Sequence, residues 1–208
     1  MINFWNWFAK ITGWPVQLIC FRTKVVYEDK KVQGRHIKGP AIIISNHTSV
    51  FDYAVYLFVF WTRTLRFQMA ELLYEKPMLG RLLRHLGGIK VDRDSHDFGF
   101  IDRSVNVLDK GGVLGVFPES RLPRPEEERP LEFKISAAYI ALSSGAKIIP
   151  VYTNGSYFNK KRARVVIGKP VYAAELTEDG ADDNENLRIV SARLREKVIE
   201  LGKLLDGQ

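Results

Sequence analysis

Ala41-Ile42-Ile43-Ile44-Ser45-Asn46-His47-Thr48-Ser49-Val50-Phe51-Asp52 passes from an apolar β-branched run, through a polar turn, to a second apolar stretch. Residues Ala41–Ser45 read as a buried strand, because an unbroken Ile-rich run suits a strand covered on both faces. Val50–Trp61 reads as a buried helix. Further strands are expected at Lys24–Tyr27, Arg66–Met69, Ile89–Val91, Val113–Phe117, Lys147–Tyr152 and Arg164–Ile167. Between them, Glu71–Leu86 looks helical with Pro77 interrupting it, and Phe133–Leu142 forms a helix ending near Gly145. Phe98, Ile101, Val105 and Leu108 step three, four and three, the stripe of an amphipathic helix. Val190, Leu194, Val198, Leu201 and Leu205 mark a terminal helix. Strands that alternate with helices predict an α/β fold with a largely parallel central sheet flanked by helices. Two polar loops interrupt it, Pro123–Pro130 (PRPEEERP) and Thr177–Asn186.

With 208 residues, 46% hydrophobic and 26% charged, the chain can bury a full core. The single cysteine, Cys20, excludes an internal disulfide and a Cys-rich zinc site. The longest apolar run, Tyr53–Trp61, is nine residues, about half of a membrane span. The first twenty residues lack a basic start and a small-residue cleavage site, so no secretory leader is expected. His36, His85 and His96 show no ligand spacing, so no metal is expected.

Net charge is +7, unevenly spread. Residues 171–208 carry five Lys/Arg against nine Asp/Glu, which leaves +11 on the rest. A basic body favours a polyanion, an anionic membrane or a phosphorylated substrate. No zinc-finger, RNP or basic-zipper pattern is present, so nucleic acid is not expected.

The aromatic residues favour the membrane. Phe4, Trp5, Trp7, Phe8 and Trp14 crowd the first fourteen positions. In Met1–Ile11 the polar residues Asn3, Asn6 and Lys10 are spaced three and four, a narrow stripe on a wide aromatic face. Such a helix suits the lipid interface, where Arg22, Lys24, Lys30, Lys31, Arg35 and Lys38 add attraction to anionic lipid. Gly13-Trp14-Pro15 is expected to break or kink it. The alternative is a helix packed on the protein's own core. The expected division is residues 1–22 as an amphipathic membrane-docking segment and 23–208 as the catalytic domain.

Candidate chemistry starts at His47 and Asp52. Five residues are about 500° of helix, so the two side chains meet only if His47 precedes the helix and Asp52 lies in its first turns. Thr48 or Ser49 as N-cap gives that geometry. A carboxylate on one imidazole nitrogen fixes the tautomer and leaves the other free as a base. More groups follow other strands: Arg93 after Ile89–Val91, then Glu119 and Arg121 after Val113–Phe117. In a parallel sheet, groups beyond strand C-ends converge on one crevice.

These blocks resemble the glycerolipid acyltransferases, the PlsC-type 1-acylglycerol-3-phosphate acyltransferase family. His47 and Asp52 match its His-x-x-x-x-Asp block. Gly87 or Gly88 through Arg93 matches the second, and the strand around Pro150 matches the fourth. The third, usually Phe-Pro-Glu-Gly-Thr-Arg, is here Phe-Pro-Glu-Ser-Arg-Leu, one residue shorter before the arginine and without the glycine. Arg121 takes the family arginine's place, with Arg124 as the alternative. Phe133-Lys134-Ile135-Ser136 is similar to the family's Phe-Lys-x-Gly.

The resemblance implies transfer of a fatty acyl group from acyl-CoA or acyl-carrier protein to the sn-2 hydroxyl of lysophosphatidic acid. His47 would be the base and Asp52 its orienter, with no cofactor. Arg93, Arg121 and Lys134 would meet the phosphate and Glu119 a glycerol hydroxyl. N–H groups at Thr48, Ser49 and Val50 would face the developing oxyanion. The protein would sit, peripheral or monotopic, on the cytoplasmic face of a membrane. Another acceptor (glycerol 3-phosphate, another lysolipid, an amino-acid lipid), a hydrolase and a non-catalytic lipid-binding module stay open.

Overall fold

The computed structural model describes residues 1–92, 98–158 and 162–206. Seven strands form one sheet in the order β1 (Lys24–Tyr27), β7 (Arg164–Ile167), β6 (Lys147–Thr153), β2 (Ala41–Ser45), β5 (Val113–Val116), β3 (Leu65–Ala70) and β4 (Ile89–Val91). All neighbours pair parallel except β6 and β7, which are antiparallel. The expected α/β class holds. The single reversal also turns β1 around, so its start lies at the sheet edge where β2, β5 and β6 end.

Strand β2 is central and every one of its residues is buried. Its side chains alternate between two cores, as the pleat requires. Ile42 and Ile44 join α5 (Gly99–Asp109), α6 (Ile135–Ser144) and α7 (Asp183–Asp206) on one face. Ala41 and Ile43 join α2 (Asp52–Val59) on the other. The expected Glu71–Leu86 helix is split at Pro77 into α3 (Leu72–Glu75) and α4 (Pro77–His85).

Helix α1 (Ile2–Val16) departs from expectation at its proline. It runs through Gly13-Trp14-Pro15 without breaking and continues as a π-helical turn over Gln17–Phe21. Proline removes one donor. The ladder is taken up two residues later by Gln17 N–H, which donates to the Gly13 and Trp14 carbonyls, and Arg22 N–H then reaches Gln17 O at 2.9 Å.

Polar contacts set the orientation of the helix. The polar stripe faces the protein. Asn6 Nδ2 donates to Leu86 O at 2.9 Å, and Lys10 Nζ donates to Trp61 O and Arg63 O at 2.9 and 2.7 Å. Asn6, Lys10 and Gln17 are buried, whereas Phe4, Trp7, Phe8, Ile11, Trp14, Leu18 and Ile19 are exposed. These anchors lie on the two turns that precede Pro15. Gly13 permits the closest approach, since a Cβ there would stand 2.9 Å from the Phe58 ring of α2.

Candidate active site

The site is built at the C-terminal ends of β2, β5 and β6. Asn46 clamps the first strand to the last: its Nδ2 donates to Thr153 O and its Oδ1 accepts from Thr153 N–H, at 2.9 and 2.8 Å. The side chain thus copies a peptide group and extends the β2–β6 pairing one residue beyond the strand. His47 emerges directly from this clamp. Its ring lies on Phe117, with centroids 4.3 Å apart and planes at 16°. Phe117 rests in turn on Phe67 and Tyr56.

His47 Nδ1 lies 2.9 Å from Asp52 Oδ2. The same oxygen accepts the backbone N–H groups of Thr48 and Ser49 at 2.7 and 2.9 Å. Oδ1 accepts from the Thr48 hydroxyl at 2.8 Å and from the Tyr157 hydroxyl at 2.6 Å. A fully buried carboxylate needs such donors to hold its charge. Burial and the neighbouring Asp52 push the Tyr157 phenol far up, so it stays protonated and donates. Gly155 makes room: it sits at φ +64, and a Cβ there would stand 2.6 Å from Thr48 Oγ1. With Nδ1 committed to Asp52, His47 keeps Nε2 without a partner among the described residues, on a side chain 18% exposed.

Three expectations change here. Helix α2 begins at Asp52 with Phe51 as N-cap and no side-chain cap, rather than at Thr48 or Ser49. The turn closes instead around the Asp52 carboxylate, which consumes the Thr48 and Ser49 N–H groups. Those two are therefore not available to an oxyanion. Of the three N–H groups expected to face it, Val50 alone lacks a partner among the described residues.

Glu119 is buried rather than open to a ligand hydroxyl. Its Oε1 accepts His47 N–H at 2.6 Å and its Oε2 accepts Leu131 N–H at 2.8 Å. Burial raises its carboxyl above the usual carboxylate range, and these two N–H groups offset only part of that rise. The residue ties the His47 backbone to the far end of the PRPEEERP loop.

Arg121 is exposed and forms a two-pronged pair with Glu127 of that loop, at 2.7 and 2.6 Å. The guanidinium and the Arg124 N–H together draw the Glu127 carboxyl down to about 2. Lys134 is exposed, at the N-cap of α6, and its N–H donates to Pro118 O at 2.9 Å. Arg124 is exposed on the same loop as Glu127. Arg93 and His96 lie outside the described residues. Of the expected docking aromatics, Phe4, Trp7, Phe8 and Trp14 are exposed, whereas Trp5 is half-buried against His85, with ring centroids 4.8 Å apart.

Tyr157, Phe117, Asn46 and Thr153 were not among the expected site residues. Asn46 carries a signal, a polar side chain between a buried strand and a candidate base. Tyr157 carries none, being 105 positions from the carboxylate it contacts.

The acyltransferase family profile matches residues 22–154, most of the chain and all of the His47 block. The chain belongs to the acyltransferase family. Human 1-acyl-sn-glycerol-3-phosphate acyltransferase beta is 26% identical over 158 residues, 73% of this chain and 55% of that protein. The chain therefore spans about half the length of that curated relative. The crystal structure of the 1-acyl-sn-glycerophosphate (LPA) acyltransferase PlsC from Thermotoga maritima has the same fold, with a TM-score of 0.65. It is 21% identical and covers 97% of this chain and 79% of that one. In this acyltransferase the family match includes His47, Asp52, Glu119 and Arg121 but stops short of Tyr157, and α1 precedes it. Among the described residues no group of His, Cys, Asp or Glu is arranged to hold a metal ion, and no helix is long and apolar enough to cross a membrane.

Proposed function

We propose that the protein transfers a fatty acyl group from an acyl-CoA or acyl-carrier thioester to the sn-2 hydroxyl of lysophosphatidic acid, giving phosphatidic acid. The observation that carries this reading is the His47 ring, held by Asp52 at Nδ1 and unpartnered at Nε2 among the described residues. Nε2 takes the hydroxyl proton as the oxygen attacks the thioester carbonyl. General-base assistance of this kind is worth about 10²–10⁴-fold. Asp52 steadies the imidazolium that forms. The tetrahedral adduct collapses, the C–S bond breaks, and the departing thiolate takes the proton back from His47. The Val50 N–H is the donor left for the oxyanion.

Arg121 suits the acceptor phosphate once Glu127 is displaced, because a guanidinium fork fits phosphate and carboxylate alike. Lys134 and Arg93 are further phosphate candidates. The human relative's printed name and the order of the sequence blocks support this acceptor over the others. The exposed aromatic face of α1 supports a membrane surface as the place of reaction, and acyl-CoA or acyl-carrier donors would favour its cytoplasmic face. Residues 1–22 are read as the docking segment and 23–208 as the acyltransferase domain.

Product analysis by mass spectrometry tests the reading. Purified protein is given acyl-CoA or acyl-carrier protein with a mixed pool of lysolipids in vesicles. A diacyl product bearing a phosphate monoester, lost in His47→Ala, is expected. Full activity of His47→Ala would sink the base assignment. Free fatty acid in place of the diacyl product would make the protein a hydrolase.

A further inference from the structure

A cavity of about 330 Å³ lies beside α2, between the Gln17–Phe21 turn and the β1 edge of the sheet. None of the His47 site residues lines it. Arg22, Arg35 and Arg162 do, and among the described residues none of the three is paired with a carboxylate. Arg35 is held in place: its Nε and Nη2 donate to the Val59 and Phe58 carbonyls at the end of α2. Arg162 Nε donates to Arg22 O at 3.0 Å, which fixes a second guanidinium. Guanidiniums gathered with no counter-charge repel one another, and an anion relieves that repulsion.

Two buried polar atoms at the cavity point the same way. Thr23 Oγ1 and Gln17 Oε1, on two of the lining residues, have no hydrogen-bond partner among the described residues. Gln17 is 8% exposed, so solvent does not satisfy it. An unmade buried hydrogen bond is costly. Turned into the cavity, the Thr23 hydroxyl would donate to a phosphate oxygen, and the Gln17 carbonyl would accept from a hydroxyl beside the phosphate.

The remaining walls are apolar. Trp14 and Leu18 belong to the exposed face of the N-terminal helix and its π turn, and Phe58 lies behind them. One side of the cavity therefore suits a phosphate, and the other is continuous with the surface read as membrane-facing. We infer that this cavity is a second anion site, separate from the acyl-transfer crevice, which takes the phosphate of a hydroxyl-bearing phospholipid headgroup such as phosphatidylglycerol. The inference rests on the membrane-surface reading of α1, which it makes more specific.

The test separates the cavity from general attraction to negative lipid. Isothermal titration with short-chain, monomeric dihexanoyl phosphatidylglycerol is expected to give saturable binding. Arg22→Gln/Arg162→Gln should weaken it by at least about tenfold, since a hydrogen bond to a charged group contributes that much. Lys30→Gln/Lys31→Gln, which removes the same charge elsewhere, should leave it unchanged, and so should Arg121→Gln. Thr23→Val removes only an unpartnered hydroxyl. It should fold normally and still bind a few-fold more weakly, so the test does not depend on the arginine variant's stability. Inorganic phosphate forms a second arm. Competition by millimolar phosphate assigns recognition to the phosphate alone, and its failure assigns it to the whole headgroup. Either result supports the site. Equal losses in the arginine and lysine pairs, or no saturable binding by either probe, overturn it. Vesicle co-sedimentation read in parallel keeps the readings apart: retained docking without saturable binding removes the cavity and leaves the membrane surface standing.

Discussion

Helices α1 and α7 are both amphipathic and both lie against the same domain, yet they face opposite ways. In α7, Leu187, Val190, Leu194, Val198, Leu201 and Leu205 are buried and the charged residues mostly point outward. In α1, Asn6 and Lys10 are buried, and Phe8 and Ile11 are 50% and 70% exposed. Helix α7 is held by the hydrophobic effect. Helix α1 is held by side-chain donors on carbonyl groups at chain turns, Leu86, Trp61 and Arg63. A helix that spends its polar residues on the protein leaves its apolar face for something else, and contiguous exposed apolar surface of this kind marks an interaction site.

The contrast can be broken experimentally. The largest effect is expected in α7: Leu194→Ala should cost about 2–5 kcal/mol of stability, read as a lowered midpoint in urea. Phe8→Ser/Ile11→Ser, on the exposed face of α1, should stay within about 0.5 kcal/mol of the parent. The same variant should bind anionic vesicles at least about tenfold more weakly, because each apolar side chain buried in lipid contributes about 1.5–3 kcal/mol. A large stability loss there, with binding unchanged, would make α1 an ordinary core helix. Near the site, Glu127→Gln should release Arg121 and lower the KM for the phosphorylated acceptor by a few-fold, while leaving the KM for the acyl donor. An unchanged acceptor KM would remove Arg121 from the phosphate's path.

A pH-dependent effect is expected at Lys10, whose ammonium is pushed down from 10.5 to about 8 by burial. Between those two values the folded protein binds fewer protons than the unfolded chain, so stability rises with pH across that window. The stability advantage of the parent over Lys10→Met should therefore widen from pH 8 to 10.5. A constant difference would mean that Lys10 is not desolvated.

What the sequence made legible follows from range. The Ala41–Ser45 strand, the helix after it and the His47/Asp52 meeting are local, set by period and by one turn. The polar stripe of α1 was legible as a stripe, but not which side it would face, since that depends on carbonyls at Trp61, Arg63 and Leu86. Pro15 was read as a break or kink because local preference is all a sequence window contains. Glu119 was placed at a ligand because it follows a strand end, yet its oxygens meet backbone N–H groups of His47 and Leu131, 72 and 12 positions away. Tyr157 reaches Asp52 across a still longer separation and outside the family match. Such contacts exist only once the sheet is assembled.

The reversal between β6 and β7 has a geometric outcome. Because β1 runs with β7, its first residues lie at the same edge as His47, and only Arg22 and Thr23 separate Phe21 from the strand. Phe21 packs on Tyr157 with ring centroids 5.4 Å apart, and Tyr157 holds Asp52. There is no slack between the exposed apolar helix and the sheet edge that carries His47. Where that helix docks on a bilayer as proposed, the height and tilt of His47 above the lipid are dimensions of the fold itself, set in the way a gauge block sets a tool, and not the excursion of a tethered domain.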